Sequence, residues 1–212
     1  MPLIAMICGM TVRRLWMMPT GLVLLALVPS LAGGLRLAEL SGGGPVTPDN
    51  VRFFDMPLPV VAHIVGAVIY APLGAFQFVP SLRRGPWHRR AGRVLAVAGL
   101  TVALSGIWMA LWYDLPETDD GLPMTIMRVA VGGVMAFAVG YAVLAVRRRD
   151  FTTHRAWMIR AYALAMGAGT QAFTHVPFAV AGITPGDTGR FVAMAAGWAI
   201  NVAVAEWVIR RS

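Results

Sequence analysis

Charge is scarce in this chain, and lysine is missing altogether. Of 212 residues only 13% are charged, about half the share that a soluble domain carries. A surface so poor in charge cannot stay dissolved, so most of it is expected to face lipid. Cysteine occurs once, at Cys8, which excludes an internal disulfide and a thiolate metal cluster. No Cys-x-x-Cys-His occurs, which excludes covalent c-type haem attachment. Cys8 reads as an inert residue on a short leader, and a start at Met10 would remove it. There is no phosphate-binding glycine loop, no Ser-centred elbow and no pair of zinc-spaced histidines on one helix. Soluble-type catalytic machinery is therefore unsupported.

What is abundant is apolar length: 58% of the residues are hydrophobic. A helix needs about twenty apolar residues to cross a bilayer, and six segments qualify. They are Leu15–Leu35, Met56–Pro80, Val94–Trp112, Met124–Val146, Ala161–Ile183 and Phe191–Ile209. The expected fold is all-α, a polytopic membrane helix bundle of six transmembrane helices with both termini in the cytoplasm. It forms a single transmembrane domain over 1–212. A four-helix core spans about 56–183, flanked by the first and sixth spans. The first run follows Arg13 and Arg14, as a signal peptide would. It is longer than a typical signal core, and Ser30-Leu31-Ala32 is a poor cleavage site, so a retained span is expected.

All eighteen basic residues are Arg, a usage read first as codon composition, and they segregate. The N-terminus, the second–third and fourth–fifth loops and the C-terminus carry fourteen, whereas the other loops and their flanks carry four: Arg36, Arg52, Arg128 and Arg190. The positive-inside rule puts the richer set in the cytoplasm. Trp16, Trp87, Trp157 and Trp207 fall at predicted inner ends, and Trp108, Trp112 and Tyr113 at an outer end, as interfacial aromatics should. The net charge of +8 would suit nucleic acid. Its placement at span ends instead predicts the lipid bilayer as partner, with anionic headgroups on the Arg loops and no nucleic acid. The first outer loop, Glu39 to Asp55, reads as irregular and exposed. The second, Asp114 to Asp120, is short and acidic.

A weak repeat has an offset of 66 residues. Gly74, Arg83, His88 and Arg89 map onto Gly140, Arg149, His154 and Arg155. Each unit is a helical hairpin turning on a basic loop, in the manner of parallel transporter repeats. Duplication and chance are both open.

The four histidines are the most informative polar residues. His63 in the second span lies about 30 Å from Arg83, and His175 in the fifth about 22 Å from Arg160, at 1.5 Å per residue. Both therefore fall in the outer half. Imidazoles on two helices can ligate one b-type haem, with Gly66, Gly167 and Ala168 leaving room for a flat macrocycle. The bland alternative is a pair of histidines that bond their neighbours or line a polar cavity. A transition-metal site or a proton relay is a third. His88 and His154 can ligate a second haem on the inner side, bind lipid phosphate, or simply anchor their helices. Arg128, costly within a span unless it snorkels or pairs, can hold a haem propionate or pair with Asp55 or Asp114. Gln171, one turn from His175, can bond its second ring nitrogen and fix its tautomer. Glu206 has Arg210 four residues on, the spacing of a local helical ion pair.

Three stretches carry a family resemblance: Gly74-Ala75-Phe76-Gln77-Phe78-Val79-Pro80-Ser81-Leu82-Arg83, His88-Arg89-Arg90-Ala91-Gly92-Arg93, and His154-Arg155-Ala156-Trp157-Met158-Ile159-Arg160-Ala161-Tyr162-Ala163-Leu164. Together with His63 they resemble the prokaryotic membrane proteins of domain-of-unknown-function family 2306, over roughly Pro59 to Thr170. The resemblance implies a small polytopic helical membrane protein and no particular activity. His63, His88 and His154 fall on its motif positions, and His175 lies outside the matched part. A four-helix core with paired histidines is similar in outline to transmembrane cytochromes b, by fold-level analogy alone.

Three functions compete at this point. One is a haem b electron carrier with a quinone or other redox partner, which requires His63 and His175 to face each other. Another is a transporter or lipid-binding protein with a cavity lined by Gln77, Arg128, Gln171 and Asn201. The third is a scaffold subunit without chemistry.

Overall fold

The computed structural model describes residues 2–83, 85–114 and 121–211, with side chains from Trp16 onward. The side chains of Cys8, Arg13 and Arg14, the whole of Arg84, and most of the predicted second outer loop lie outside the described residues.

The described chain is helical throughout, with no strand among its residues. Its helices are α1 (Pro2–Gly42), α2 (Val51–Asp55), α3 (Pro57–Ala75), α4 (Pro86–Trp112), α5 (Leu122–Arg147), α6 (Phe151–Ala165), α7 (Gly167–Thr174), α8 (Val176–Ala181) and α9 (Asp187–Arg210). Proline opens α3 and α4 at the first helical position, where its missing N–H leaves no bond unmade. Five helical stretches are long and apolar enough to cross a membrane: Trp16–Gly42, Pro57–Phe78, Pro86–Trp112, Leu122–Arg147 and Asp187–Arg210. The fifth predicted segment, Ala161–Ile183, is helical but discontinuous. It breaks at Met166 and again at His175, and none of α6, α7 and α8 is long enough to cross alone. α1 also runs past both ends of the predicted Leu15–Leu35.

Connectivity and contacts set the arrangement. α3 packs on α4, α4 on α5, and α5 on α6, while α1 covers α3 and α7, and α9 covers α6 and α7. The core is thin and made of small residues with a few rings. Ala75, Ala138, Ala142 and Ala161 are fully enclosed, and Tyr70, Leu95 and Met135 fill the space between α3, α4 and α5. Outward-facing side chains such as Leu31, Val97, Phe137 and Val204 are large, apolar and more than half exposed. In water such a surface would aggregate, whereas in lipid it is the solvated face. Without a hydrophobic drive between helices, close approach does the packing. At Gly169 a Cβ would stand 2.4 Å from the carbonyl oxygen of Leu25 on α1, so only glycine lets α7 reach that helix.

The Arg-rich ends gather on one side. The Trp16 ring lies 6.3 Å from that of Phe76, which sets the start of α1 beside the end of α3. Arg83 lies within reach of the charge of Arg155, which joins the α3–α4 turn to the start of α6. Arg160 of α6 donates to Glu206 of α9 through Nε at 2.6 Å and Nη2 at 3.0 Å. Glu206 therefore bonds a residue 46 positions away, not the Arg210 that helical spacing offers. On the opposite side the Tyr113 hydroxyl donates to the Met56 carbonyl at 2.8 Å. There the stretch from Glu39 to Asp55, expected to be irregular and exposed, is partly helical, its ends lying in α1 and α2. Asn50 is buried and donates to the Glu39 carboxylate and the Pro45 carbonyl, while its own oxygen accepts from the Thr47 N–H. One amide thus satisfies three polar groups of the loop.

Polar bonds hold the broken segment to α9. Thr170 donates to Asn201 Oδ1 at 2.8 Å and Gln171 Nε2 to the Met194 carbonyl at 3.1 Å. Thr174 donates to the Ala193 carbonyl at 2.7 Å and Asn201 Nδ2 to the Ala163 carbonyl at 3.1 Å. The last of these meets a carbonyl freed near the α6–α7 break.

Candidate functional site

Three of the four imidazoles share one arrangement. His63 Nδ1 lies 3.0 Å from the Val102 carbonyl on α4 and 3.1 Å from Ser105 Oγ. The Ser105 hydroxyl donates to the Thr101 carbonyl at 2.5 Å, so Nδ1 carries the hydrogen and shares it between the Val102 carbonyl and the Ser105 oxygen. Gly106 clears the way, since a Cβ there would sit 3.4 Å from His63 Cε1. His154 Nδ1 donates to the Ala142 carbonyl on α5 at 2.9 Å, and His175 Nδ1 to the Gln171 carbonyl at 2.7 Å. A carbonyl on Nδ1 selects the tautomer whose Nε2 carries a lone pair. Each of these rings is thereby a ligand or proton acceptor at Nε2.

His88 differs. Its Nδ1 is buried and finds no hydrogen-bond partner among the described residues. It lies within reach of the charges of His154 and Arg83. The two histidines that the repeat equates thus converge from the first turns of α4 and α6. Arg83 folds back, its Nη2 donating to the Phe78 carbonyl at 3.2 Å and its Nε to the Gln77 carbonyl at 3.4 Å. Partial burial, and then the like charge of Arg155, hold its guanidinium pKa below the ordinary value. Gln77 Nε2 is a second buried donor at this end without a partner among the described residues.

The predicted outer pair is arranged otherwise. His63 turns to α4, whereas His175 bonds the backbone of its own segment at the α7–α8 joint. Gln171 does touch His175, but through its main-chain oxygen, because its side-chain amide is taken by Met194. Arg128 lies half-buried in the second turn of α5, while Asp55 and Asp114 are exposed. No group of three or more His, Cys, Asp or Glu with metal-binding geometry occurs among the described residues.

His63 lines a cavity of about 140 Å³ between α1, α3 and α7, together with Tyr70, Ala67, Ala71, Gly33 and Gly169. A second cavity, of about 300 Å³, is lined by Pro123, Met124, Asp187, Thr188, Arg190 and Phe191 near the start of α5 and α9. Gln77, Arg128, Gln171 and Asn201 line neither of these two cavities.

Sequence reasoning missed Tyr70, Tyr162 and Ser105. Tyr70 is almost wholly buried and its hydroxyl has no partner among the described residues, whereas the Tyr162 hydroxyl donates to the Ala71 carbonyl at 2.6 Å. A buried orphan hydroxyl costs about 1–3 kcal/mol, so Tyr70 is conspicuous. The available signal was its place seven residues after His63, two turns along the same helix face.

No curated protein and no solved structure matches the chain. A family model described as "Predicted membrane protein (DUF2306)" matches residues 60–209, from α3 to the end of α9, and so extends past the motifs of the first two hairpins to include His175 and Glu206. The chain is an integral membrane protein belonging to this domain-of-unknown-function family 2306.

Proposed function

We propose that the protein is a membrane electron carrier with a b-type haem held between α4 and α6 by His88 and His154. The observation that carries this reading is that His88, with its buried Nδ1 uncommitted, lies within reach of the charge of His154, whose Nδ1 is anchored to Ala142. Imidazoles on two different helices would hold the haem iron between them. Arg83 and Arg155 flank them, and a guanidinium is the side chain best shaped to take a propionate carboxylate. The bound group would supply one-electron chemistry. The Ala142 carbonyl would orient His154, and the surrounding apolar helices would exclude water. By the positive-inside rule the Arg-rich side, and with it this site, faces the cytoplasm. The same rule puts both termini there, with the broken α6–α8 segment completing six crossings.

The test is spectroscopic. The protein, purified in mild detergent from haem-replete cells, should show a Soret band and sharp α and β bands on reduction. His88→Ala and His154→Ala should each abolish the low-spin signature, while His175→Ala should keep it. A spectrum of protein absorption alone, persisting after added hemin, rejects the reading.

The juxtaposition of Arg83 with Arg155 favours a second reading, in which the same cluster binds anionic lipid headgroups. On that reading no haem spectrum appears, and Arg83→Gln weakens binding to phosphatidylglycerol vesicles in a salt-dependent manner.

A further inference from the structure

His63 takes no part in the site proposed at His88. Its ring is fixed against α4, where Nδ1 shares its hydrogen between the Val102 carbonyl and the Ser105 oxygen and Cε1 lies beside Gly106. Nε2 therefore carries a lone pair. It has no partner among the described residues, and it is not one of their enclosed atoms. The ring lines the cavity of about 140 Å³ between α1, α3 and α7. A cavity of about 150 Å³ accommodates benzene, so this one takes a head of about six heavy atoms.

The lining decides which head enters. No Arg, Asp or Glu belongs to it, so a phosphate, carboxylate or ammonium group would be buried without a counter-charge. The Tyr70 ring lines the cavity too, but its hydroxyl is enclosed and does not open onto it. Ser30 is the remaining polar side chain, and Ala26, Gly33, Ala67, Ala71 and Gly169 keep the walls small and apolar. The lone pair on His63 matches a hydroxyl donor and offers no bond to an ether or a ketone. Val68 and Ala168 of the lining are exposed, and in a membrane they face lipid, so the opening leads into the hydrocarbon region.

We propose that this cavity binds a neutral long-chain alcohol, with its hydroxyl donating to His63 Nε2 and its chain leaving past Val68 and Ala168 into lipid. A hydroxyl in hydrocarbon lacks a hydrogen-bond partner, and His63 supplies the one that the acyl chains around it do not. An alkyl chain without a hydroxyl gains only the contacts of the walls. The site is one of binding and stands whether or not the protein carries haem.

The experiment is photolabelling of the full chain in phosphatidylcholine nanodiscs with a dodecanol that carries a diazirine beside its hydroxyl. Saturable label is expected in peptides of α1, α3 and α7. Excess dodecanol should displace it, and dodecyl methyl ether should need about two- to tenfold more, the worth of one hydrogen bond. Ala67→Phe, which fills the cavity, should remove this label and leave the background on α9 unchanged. His63→Leu should keep the label and erase the difference between alcohol and ether. Label that spreads over the lipid-facing helices without saturating overturns the proposal. So does an ether that displaces as well as the alcohol from the wild-type protein, which would make the cavity a resting place for any alkyl chain. Unchanged label in Ala67→Phe, or a preference for the alcohol that survives His63→Leu, overturns it too.

Discussion

The two hairpins that the repeat equates, α3–α4 and α5–α6, end in different chemistry. In the second hairpin the turn is tight. Arg149 adopts a left-handed backbone with φ 61°, and the Asp150 N–H closes on the Ala145 carbonyl at 3.0 Å. Asp150 then caps α6 by accepting from the Thr153 N–H at 3.0 Å, and His154 is anchored. In the first hairpin the turn is longer, α4 starts at Gly85 without a side-chain cap, and Arg83 caps the carbonyls before it instead. Of the five buried polar atoms without partners among the described residues, two are on Arg52 and three, on Tyr70, Gln77 and His88, belong to this first hairpin. The same element is thus finished in one copy and left with open valences in the other. Open valences in a low-dielectric interior are tolerated where a ligand will meet them, and the site proposed at His88 draws on that hairpin.

The contrast can be broken by matched substitutions. The largest effect is expected at Gly74, where a Cβ would stand 2.5 Å from Tyr162 Cε2, against open space at its counterpart Gly140. Gly74→Ala should destabilise by about 1–3 kcal/mol through overpacking. Gly140→Ala should be neutral or stabilise by up to about 1 kcal/mol through helix propensity. Thermal unfolding in detergent reads both, and equal losses would dissolve the distinction. Next come the two tyrosines. Tyr162→Phe should cost about 1 kcal/mol for its lost bond to Ala71. Tyr70→Phe should cost nothing in the ligand-free protein, and a matching loss would mean that its hydroxyl is satisfied after all.

A smaller change of opposite sign is expected at the tight turn. Arg149→Gly removes the Cβ conflict of a left-handed residue and should raise stability by up to about 1 kcal/mol. A lower melting temperature would show that the arginine side chain matters more than its backbone. The smallest effect belongs to Asp150, whose carboxyl is held below the usual range by the hydrogen bonds it accepts from Thr153. A depressed carboxyl stabilises the fold above its ordinary pKa, and that contribution is lost as pH falls through the folded value. Asp150→Ala should therefore melt below wild type at pH 7, with the gap closing in acid. A gap independent of pH would assign the effect to packing.

Much of the fold was legible because apolar length survives any arrangement of the helices. The hairpins, their basic turns and five long helices follow from runs of about twenty residues. The break in the fifth segment was hidden because hydropathy averaged over a whole span does not register a change of helix axis at Met166. Gly167, Gly169 and Pro177 were its only local marks. Glu206 illustrates a second limit. Spacing offers Arg210, but the partner is Arg160, brought near only by the packing of α6 on α9. The histidines were found by their chemistry, whereas their pairing depended on tertiary geometry. Tyr70 was overlooked because a tyrosine inside an apolar run reads as core until its hydroxyl is seen to lack a partner.

The bonds between the broken segment and α9 bear on how the protein is made. Thr170, Gln171, Thr174 and the carbonyl of Ala163 find their partners on a helix that is made after them. A nascent chain halted before Asp187 would present these groups to hydrocarbon unsatisfied, at several kcal/mol for each. The polar groups of the broken α6–α8 segment are therefore satisfied only once α9 has been made. A chain that lost α9 would leave the polar groups of α6–α8 unmet, and quality-control proteases would meet a segment with no stable place in the bilayer.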